Sequence, residues 1–192
     1  ISTDRVVWAM AAWEYYLYTG DKSWLESVYD GLKYTALKDI HVAFDANVGL
    51  FKGETCSMDW RTHTYPNWFI NSVIADSFSS GTNALHKFFY QFLGTAGRII
   101  QKPAEEIAMW EKYSGLLKEN INKHFWDEKQ GCYTCYLYPE YLGYRPTQRV
   151  GVMSNGLAAV LDIATTGQSI QMVENFPLYP YGAAVLLSLI HI

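Results

Sequence analysis

The stretch T-D-R-V-V-W-A-M-A-A-W-E-Y-Y-L-Y-T-G-D, Thr3 to Asp21, decides the fold. Val7, Met10, Ala11, Glu14, Tyr15 and Tyr18 fall near one face at helical spacing, and Trp8, Ala12 and Tyr16 form another. A segment apolar almost all round predicts a helix buried on every side. Ser2 or Thr3 can cap its start, and Gly20 suits a left-handed stop. Asp21 then opens a second helix, from about Lys22 to Ala43, with Trp24, Leu25, Val28, Leu32 and Leu37 on its inner side. The short T-G-D turn makes the two an antiparallel pair.

The pattern repeats downstream. A third helix is predicted over about Gly81 to Gln101, entered through Ser79 and Ser80. Pro103 fits the first turn of a fourth, which runs to about Phe125. D-E-K-Q-G-C-Y-T-C-Y-L-Y, residues 127–138, reads as a turn and a short extended piece. A fifth helix fits Ser154 to Thr165, with Asn155 near its cap, and a short sixth fits Gln168 to Asn175. The order is helix, helix, long connection, three times over. Without sustained heptads this is not a coiled coil. An all-α chain of hairpins is expected, either a solenoid or a toroid.

Length and composition narrow the function. The 192 residues suffice for one ordinary domain with a core. Hydrophobic residues make up 49% and charged residues 18%, which excludes disorder. The net charge of −4 and the lack of a basic run argue against nucleic acid. No apolar stretch is long enough for a membrane span. The aromatic share of 16% has two readings, core packing and a carbohydrate site; composition alone favours the first. Ile1 is not an initiator Met, so the natural start is expected upstream. Cys56, Cys132 and Cys135 are an odd set, which does not read as a disulfide framework. Cys132 and Cys135 form a lone C-x-x-C without two further ligands at zinc spacing, and alternation along a strand would put them on opposite faces.

One connection stands apart: G-E-T-C-S-M-D-W-R-T-H-T-Y-P-N-W, Gly53 to Trp68. Long ordered loops in compact domains are usually functional. This one gathers Glu54, Asp59, Trp60, Arg61, His63, Tyr65 and Trp68, with no glycine-rich phosphate cradle and no run of metal ligands. Carboxylate, guanidinium and indole together suit a neutral, hydroxyl-rich substrate such as a sugar.

Three pieces carry a family resemblance. S-T-D-R-V-V-W (residues 2–8), G-E-T-C-S-M-D-W (residues 53–60) and N-K-H-F-W-D-E-K-Q-G-C-Y (residues 122–133) resemble motifs of the six-hairpin glycosidases. Within that superfamily the chain looks most like bacterial relatives of glycoside hydrolase family 63 and the glycogen-debranching type. The resemblance implies about half of an (α/α)6 toroid and an inverting hydrolase acting on α-linked oligosaccharides, without metal or cofactor. It implies a bacterial periplasmic or secreted setting. Asp59 matches the position of the general acid. Asp4 matches an Asp that holds the sugar in the cleavage subsite, with Arg5 beside it. The general base lies in a later hairpin and is expected outside this chain. M-D-W-R departs from the family's M-D-N-S at this point, which leaves the sugar preference open.

The chemistry of each residue has a plainer alternative. An inverting acid must stay protonated near neutral pH. Met58, Trp60 and Glu54 near Asp59 are a context that raises a carboxyl pKa, whereas a helix cap or a pair with Arg61 would give Asp59 a structural role. Asp4 offers two acceptors for vicinal hydroxyls, or simply favours the helix dipole. Trp60 and Trp68 are stacking platforms or loop anchors, and His63 bonds a hydroxyl or lies on the surface. Asn83 and His86 line the rim where the third helix enters, or Asn83 caps that helix and His86 is a satisfied core group. The rival function is a non-catalytic helical toroid or solenoid that binds a glycan or a protein. The last six residues, L-S-L-I-H-I (187–192), match the conceptual translation of a sequencing adapter, so the partial catalytic domain is expected to be residues 1–186.

Overall fold

The computed structural model describes residues 3–53, 70–176, 178–179 and 182–183. Glu54, Cys56, Asp59, Trp60, Arg61, His63, Trp68 and the segment 187–192 lie outside the described residues.

Among the described residues, six of the helices follow one another in three helix–turn–helix pairs. The first pairs α1 (Asp4–Thr19) with α2 (Lys22–Ala43), the second α4 (Ser80–Ile99) with α5 (Ala104–Phe125), and the third α6 (Val152–Val160) with α7 (Thr166–Asn175). A short helix, α3 (Asn71–Asp76), precedes α4. Three hairpins are half of the six in an (α/α)6 toroid. Among the described residues, no helix is long and apolar enough to cross a membrane.

Local chemistry sets the boundaries. Gly20 stops α1 at φ 64°, with its N–H on the Tyr16 carbonyl. The Asp21 carboxylate caps α2 through the Trp24 N–H. Ser79 caps α4, and Thr165 and Gln168 form a reciprocal capping box on α7.

The most deeply buried helix is α4, not α1. It packs against α1, α2, α5 and α6. Gly94 and Gly97 let α5 approach; a Cβ on Gly97 would sit 3.2 Å from Ile107 and from the Tyr29 hydroxyl. Phe89, Tyr90 and Leu93 join Trp110, Leu117 and Ile121 of α5 in the core, each such side chain contributing roughly 1.5–3 kcal/mol. α1 instead buries only Val6, Ala9 and Ala12, while Trp8, Tyr15 and Tyr18 are exposed. Its small residues, three apart, make the buried face, Met10, Trp13 and Tyr16 pack at its margin, and Trp8, Tyr15 and Tyr18 point outward. Average apolarity concealed this division.

The fifth helix is also shorter than expected. It ends at Val160 because Asp162 takes a left-handed φ of 56° and turns the chain. Ile163 then returns to the core, where its carbonyl accepts from Asn122. The buried Lys87 ammonium holds the turn by donating to the Leu161 carbonyl at 2.7 Å.

Short antiparallel strands join the hairpins. β1 (Phe44–Asp45) pairs with β2 (Leu50–Phe51), and β4 (Trp126–Asp127) pairs with β5 (Cys132–Tyr133). β3 (Phe78–Ser79), β6 (Tyr136–Glu140) and β7 (Gly143–Pro146) form a three-stranded sheet in the order β3-β6-β7. A last pair is β8 (Leu178–Tyr179) with β9 (Gly182–Ala183). Cys132 is buried on β5, and Cys135 lies between β5 and β6.

The first two strand pairs reveal an internal repeat, F-D-A-N-V-G-L-F (44–51) against W-D-E-K-Q-G-C-Y (126–133). Each follows a 22-residue helix. In each, an Asp carboxylate accepts two backbone N–H groups of the turn, at 2.9 and 3.3 Å. A left-handed Gly49 or Gly131 closes it, and a Cβ at either would collide with an asparagine amide, Asn120 or Asn175.

The repeat extends into the next helix. The Asn83 amide accepts from the Phe51 N–H at 2.7 Å and donates to the Phe51 and Ser79 carbonyls. Asn155 accepts from the Tyr133 N–H at 2.7 Å and donates to the Tyr133 and Gly151 carbonyls. Neither is a helix cap or a rim residue; both lie buried inside their helices and fasten a strand from the preceding connection. Asn83→Ala or Asn155→Ala leaves a buried N–H and C=O without that partner. Each is expected to cost about 2–4 kcal/mol in urea unfolding of the parent protein. A loss well under about 1 kcal/mol would show that the amide is not the fastener.

Candidate functional site

The hairpins run back on themselves, so the starts of α1 and α4 share one end with the finish of α2. At this end the Gly53 N–H donates to the Ser77 carbonyl at 2.8 Å. The Lys52 ammonium bonds Asp76 at 2.6 Å and Asp45 at 3.2 Å, and lies within 6 Å of the Phe78 and Tyr144 rings. The bond to Asp76, then that to Tyr144, hold the Lys52 pKa above its ordinary range. This cluster ties β1, β2, α3, β3 and β7 together.

The second charged cluster sits at the start of α1. The Arg5 guanidinium donates from Nη2 to Asp39 Oδ1 at 3.1 Å. Asp39 is wholly buried, whereas the Arg5 side chain is 43% exposed. Asp39 Oδ2 has no hydrogen-bond partner. Burial pushes the Asp39 carboxyl up, and Arg5 opposes it.

His86 lies close enough to feel the Arg5 charge. Its ring stacks on Phe51 at 4.1 Å, and its buried Nδ1 lacks a partner. Burial first, and Arg5 second, lower its pKa to about 3, so the imidazole is neutral at physiological pH.

This depression has a consequence for stability. The unfolded chain takes up a proton near the ordinary histidine pKa of ~6.5, and the folded chain resists until about 3. The contribution is therefore complete above ~6.5 and is lost as pH falls through that window. Asp39, with a raised pKa, works in the opposite sense. Urea unfolding of the parent protein and of His86→Gln at pH 7 and pH 4 should show a steeper acid loss with His86 present. Equal slopes would contradict a buried neutral imidazole.

Asp4, Arg5 and Trp8 line an open groove between α1 and α2, completed by Ser27, Gly31 and Thr35 among others. Its volume is about 510 Å³. Its wall is mostly apolar, with Trp8, Val28 and Leu32 beside Asp4 and Arg5, a lining that can cover the C–H face of a sugar ring. Asp4 and Arg5 both line this groove, and Asn83 is not among its lining residues. Trp8 and Asp39 are the groups that the sequence did not single out as a site; His86, read as a rim residue or a satisfied core group, is buried with its Nδ1 unpartnered. Asp39 was detectable as a lone carboxylate in the buried series Leu25, Tyr29, Leu32, Ala36, Asp39.

The comparisons with known proteins agree with this architecture. Residues 4–171 match the profile of the bacterial alpha-L-rhamnosidase six-hairpin glycosidase domain. The fold is similar to a GH78-family rhamnosidase of Bacillus sp. GL1, with TM-score 0.71 and 18% identity over 90% of this chain and 17% of that one. It is also similar to a rhamnosidase from Klebsiella oxytoca with rhamnose bound, with TM-score 0.64 and 13% identity over 90% of this chain and 30% of that one. The chain therefore spans less than a third of the length of either. No curated protein sequence matches it. The superfamily read from the motifs is the one found, while the match names the rhamnosidase branch where the motifs pointed to family 63 and debranching-type relatives. The chain belongs to the bacterial alpha-L-rhamnosidase six-hairpin glycosidase domain family.

Proposed function

We propose that the chain is part of the catalytic domain of an inverting glycoside hydrolase that cleaves α-linked oligosaccharides at a terminal hexose or 6-deoxyhexose such as rhamnose. The observation that carries this reading is the groove that Asp4, Arg5 and Trp8 line at the start of α1, in a six-hairpin glycosidase domain. Asp59 serves as general acid and protonates the glycosidic oxygen as its bond to the anomeric carbon breaks. A carboxylate from a hairpin outside this chain removes a proton from the water that attacks the opposite face. The two carboxyl groups must stand about 6.5–9.5 Å apart to leave room for that water. Asp4 and Arg5 hold ring hydroxyls, and Glu54, Trp60, Arg61, His63 and Trp68 complete the sugar contacts. Asn83 is left out of this set because its amide serves Phe51 and Ser79.

The test is hydrolysis of α-L-rhamnosides and α-D-glucosides by the parent enzyme, followed by proton NMR of the first sugar released. The expected product is the inverted, β anomer. A first-formed α anomer would contradict the inverting mechanism. Saturable glycan binding without turnover would favour the non-catalytic toroid.

A further inference from the structure

The internal repeat separates what the fold requires from what one hairpin carries alone. Asp45 and Asp127 hold the same turn, 82 positions apart, and Asn83 and Asn155 fasten the same strand, 72 positions apart. The same offsets place Asp39 opposite Ile121 and His86 opposite Ala158. Ile121 and Ala158 are buried core residues. The second repeat therefore packs these two positions with apolar side chains, and the first puts a carboxylate and an imidazole there. These two residues also hold two of the buried polar atoms that lack a partner, Asp39 Oδ2 and His86 Nδ1.

A buried carboxylate with one unpaired oxygen is a poor source of stability. Apolar residues of similar volume at such sites are often neutral or better. Ile121 shows that this fold accepts one. Asp39 thus needs another reason, and its neighbour supplies it. Arg5 presents N–H donors in a rigid plane. The bond from Nη2 to Asp39 fixes that plane from below, while the side chain stays 43% exposed along the groove it shares with Asp4 and Trp8. A neutral His86 nearby adds no competing positive charge.

We infer that Asp39 is a positioning residue for substrate binding: from beneath the surface it aims the Arg5 guanidinium into the groove, where Arg5 donates to a sugar hydroxyl. The inference rests on the proposed glycosidase reading of Asp4 and Arg5. Asp39 itself touches no substrate.

The experiment is a double-mutant cycle in the full-length parent enzyme, using whichever α-L-rhamnoside or α-D-glucoside it hydrolyses. Asp39→Ile copies the second repeat. It is expected to fold, to keep kcat within about threefold, and to raise KM roughly 10- to 100-fold, the scale on which a displaced positioning group acts. Arg5→Met should raise KM by a similar factor. The double variant should be no worse than Arg5→Met alone, because Asp39 acts through Arg5. Asp39→Asn, which keeps an acceptor for Nη2, should recover most of the lost affinity. Multiplying losses in the double variant, an unchanged KM in Asp39→Ile, or its failure to fold would each overturn the role. A parent enzyme that hydrolyses none of these glycosides would overturn the glycosidase reading and this role with it; an active parent with multiplying losses would overturn this role alone.

Discussion

In the parent enzyme, Asp59→Asn is expected to lower kcat on natural α-glycosides by roughly 10²–10⁴-fold, the usual contribution of a positioned general acid. The amide cannot give a proton to the departing oxygen. A leaving group that departs readily as an anion needs no such proton, so dinitrophenyl glycosides should lose far less. On the proposed acid role, unfolding should be unchanged. The comparison of the two substrate classes separates acid catalysis from general damage to the site. Near-full activity of Asp59→Asn on natural glycosides would remove Asp59 from the mechanism.

The second large effect concerns the chain by itself. Residues 1–186 expressed alone are expected to show no measurable glycosidase activity and to self-associate. The general base is assigned to a hairpin outside this chain, so no attacking water would be activated. The first hairpin also exposes a row of large apolar side chains, with Trp8 at 48%, Tyr34 at 68% and Tyr18 at 89%. Contiguous exposed patches beyond several hundred Å² are unusual on soluble monomers. The apolar residues at and after α6 are Leu157, Val160, Leu161 and Ile163. There only Val160 is strongly exposed, because the turn at Asp162 carries Ile163 inward and leaves Leu161 covered. Sedimentation and a hydrolysis assay on the isolated chain check both halves; a compact, active monomer would contradict them.

The helices were legible because their signals are local. Gly20, Asp21, Ser79 and Thr165 act within one turn of the backbone they cap, and α2 runs over the expected residues, Lys22–Ala43. The burial of α1 was not legible, because apolar content does not say which face a partner covers. The turn at Asp162 was missed because a left-handed aspartate carries a weaker signal than a glycine. The repeat between residues 44–51 and 126–133 was open to reading, since both have an aromatic-Asp start and a Gly five positions in. Only the second copy was recognised from sequence.

The candidate site divides along the same line. Asp4 and Arg5 are adjacent in the chain, so one short motif contains both. Asp39 and His86 lie 34 and 81 positions from Arg5, and only the folding of α2 and α4 against α1 brings them under it. Asn83 showed the reverse: a polar residue at a helix start looked like a rim contact, yet its amide bonds the Phe51 backbone.

The most direct measurement is a crystal structure of the parent enzyme carrying Asp59→Asn, with an uncleaved α-linked oligosaccharide bound. The account predicts a terminal sugar ring with hydroxyls within hydrogen-bond distance of the Asp4 carboxylate and the Arg5 guanidinium. It also predicts the glycosidic oxygen about 3 Å from the side chain at position 59. A bound sugar that lies clear of Asp4 and Arg5, with position 59 turned away from the glycosidic oxygen, would contradict it.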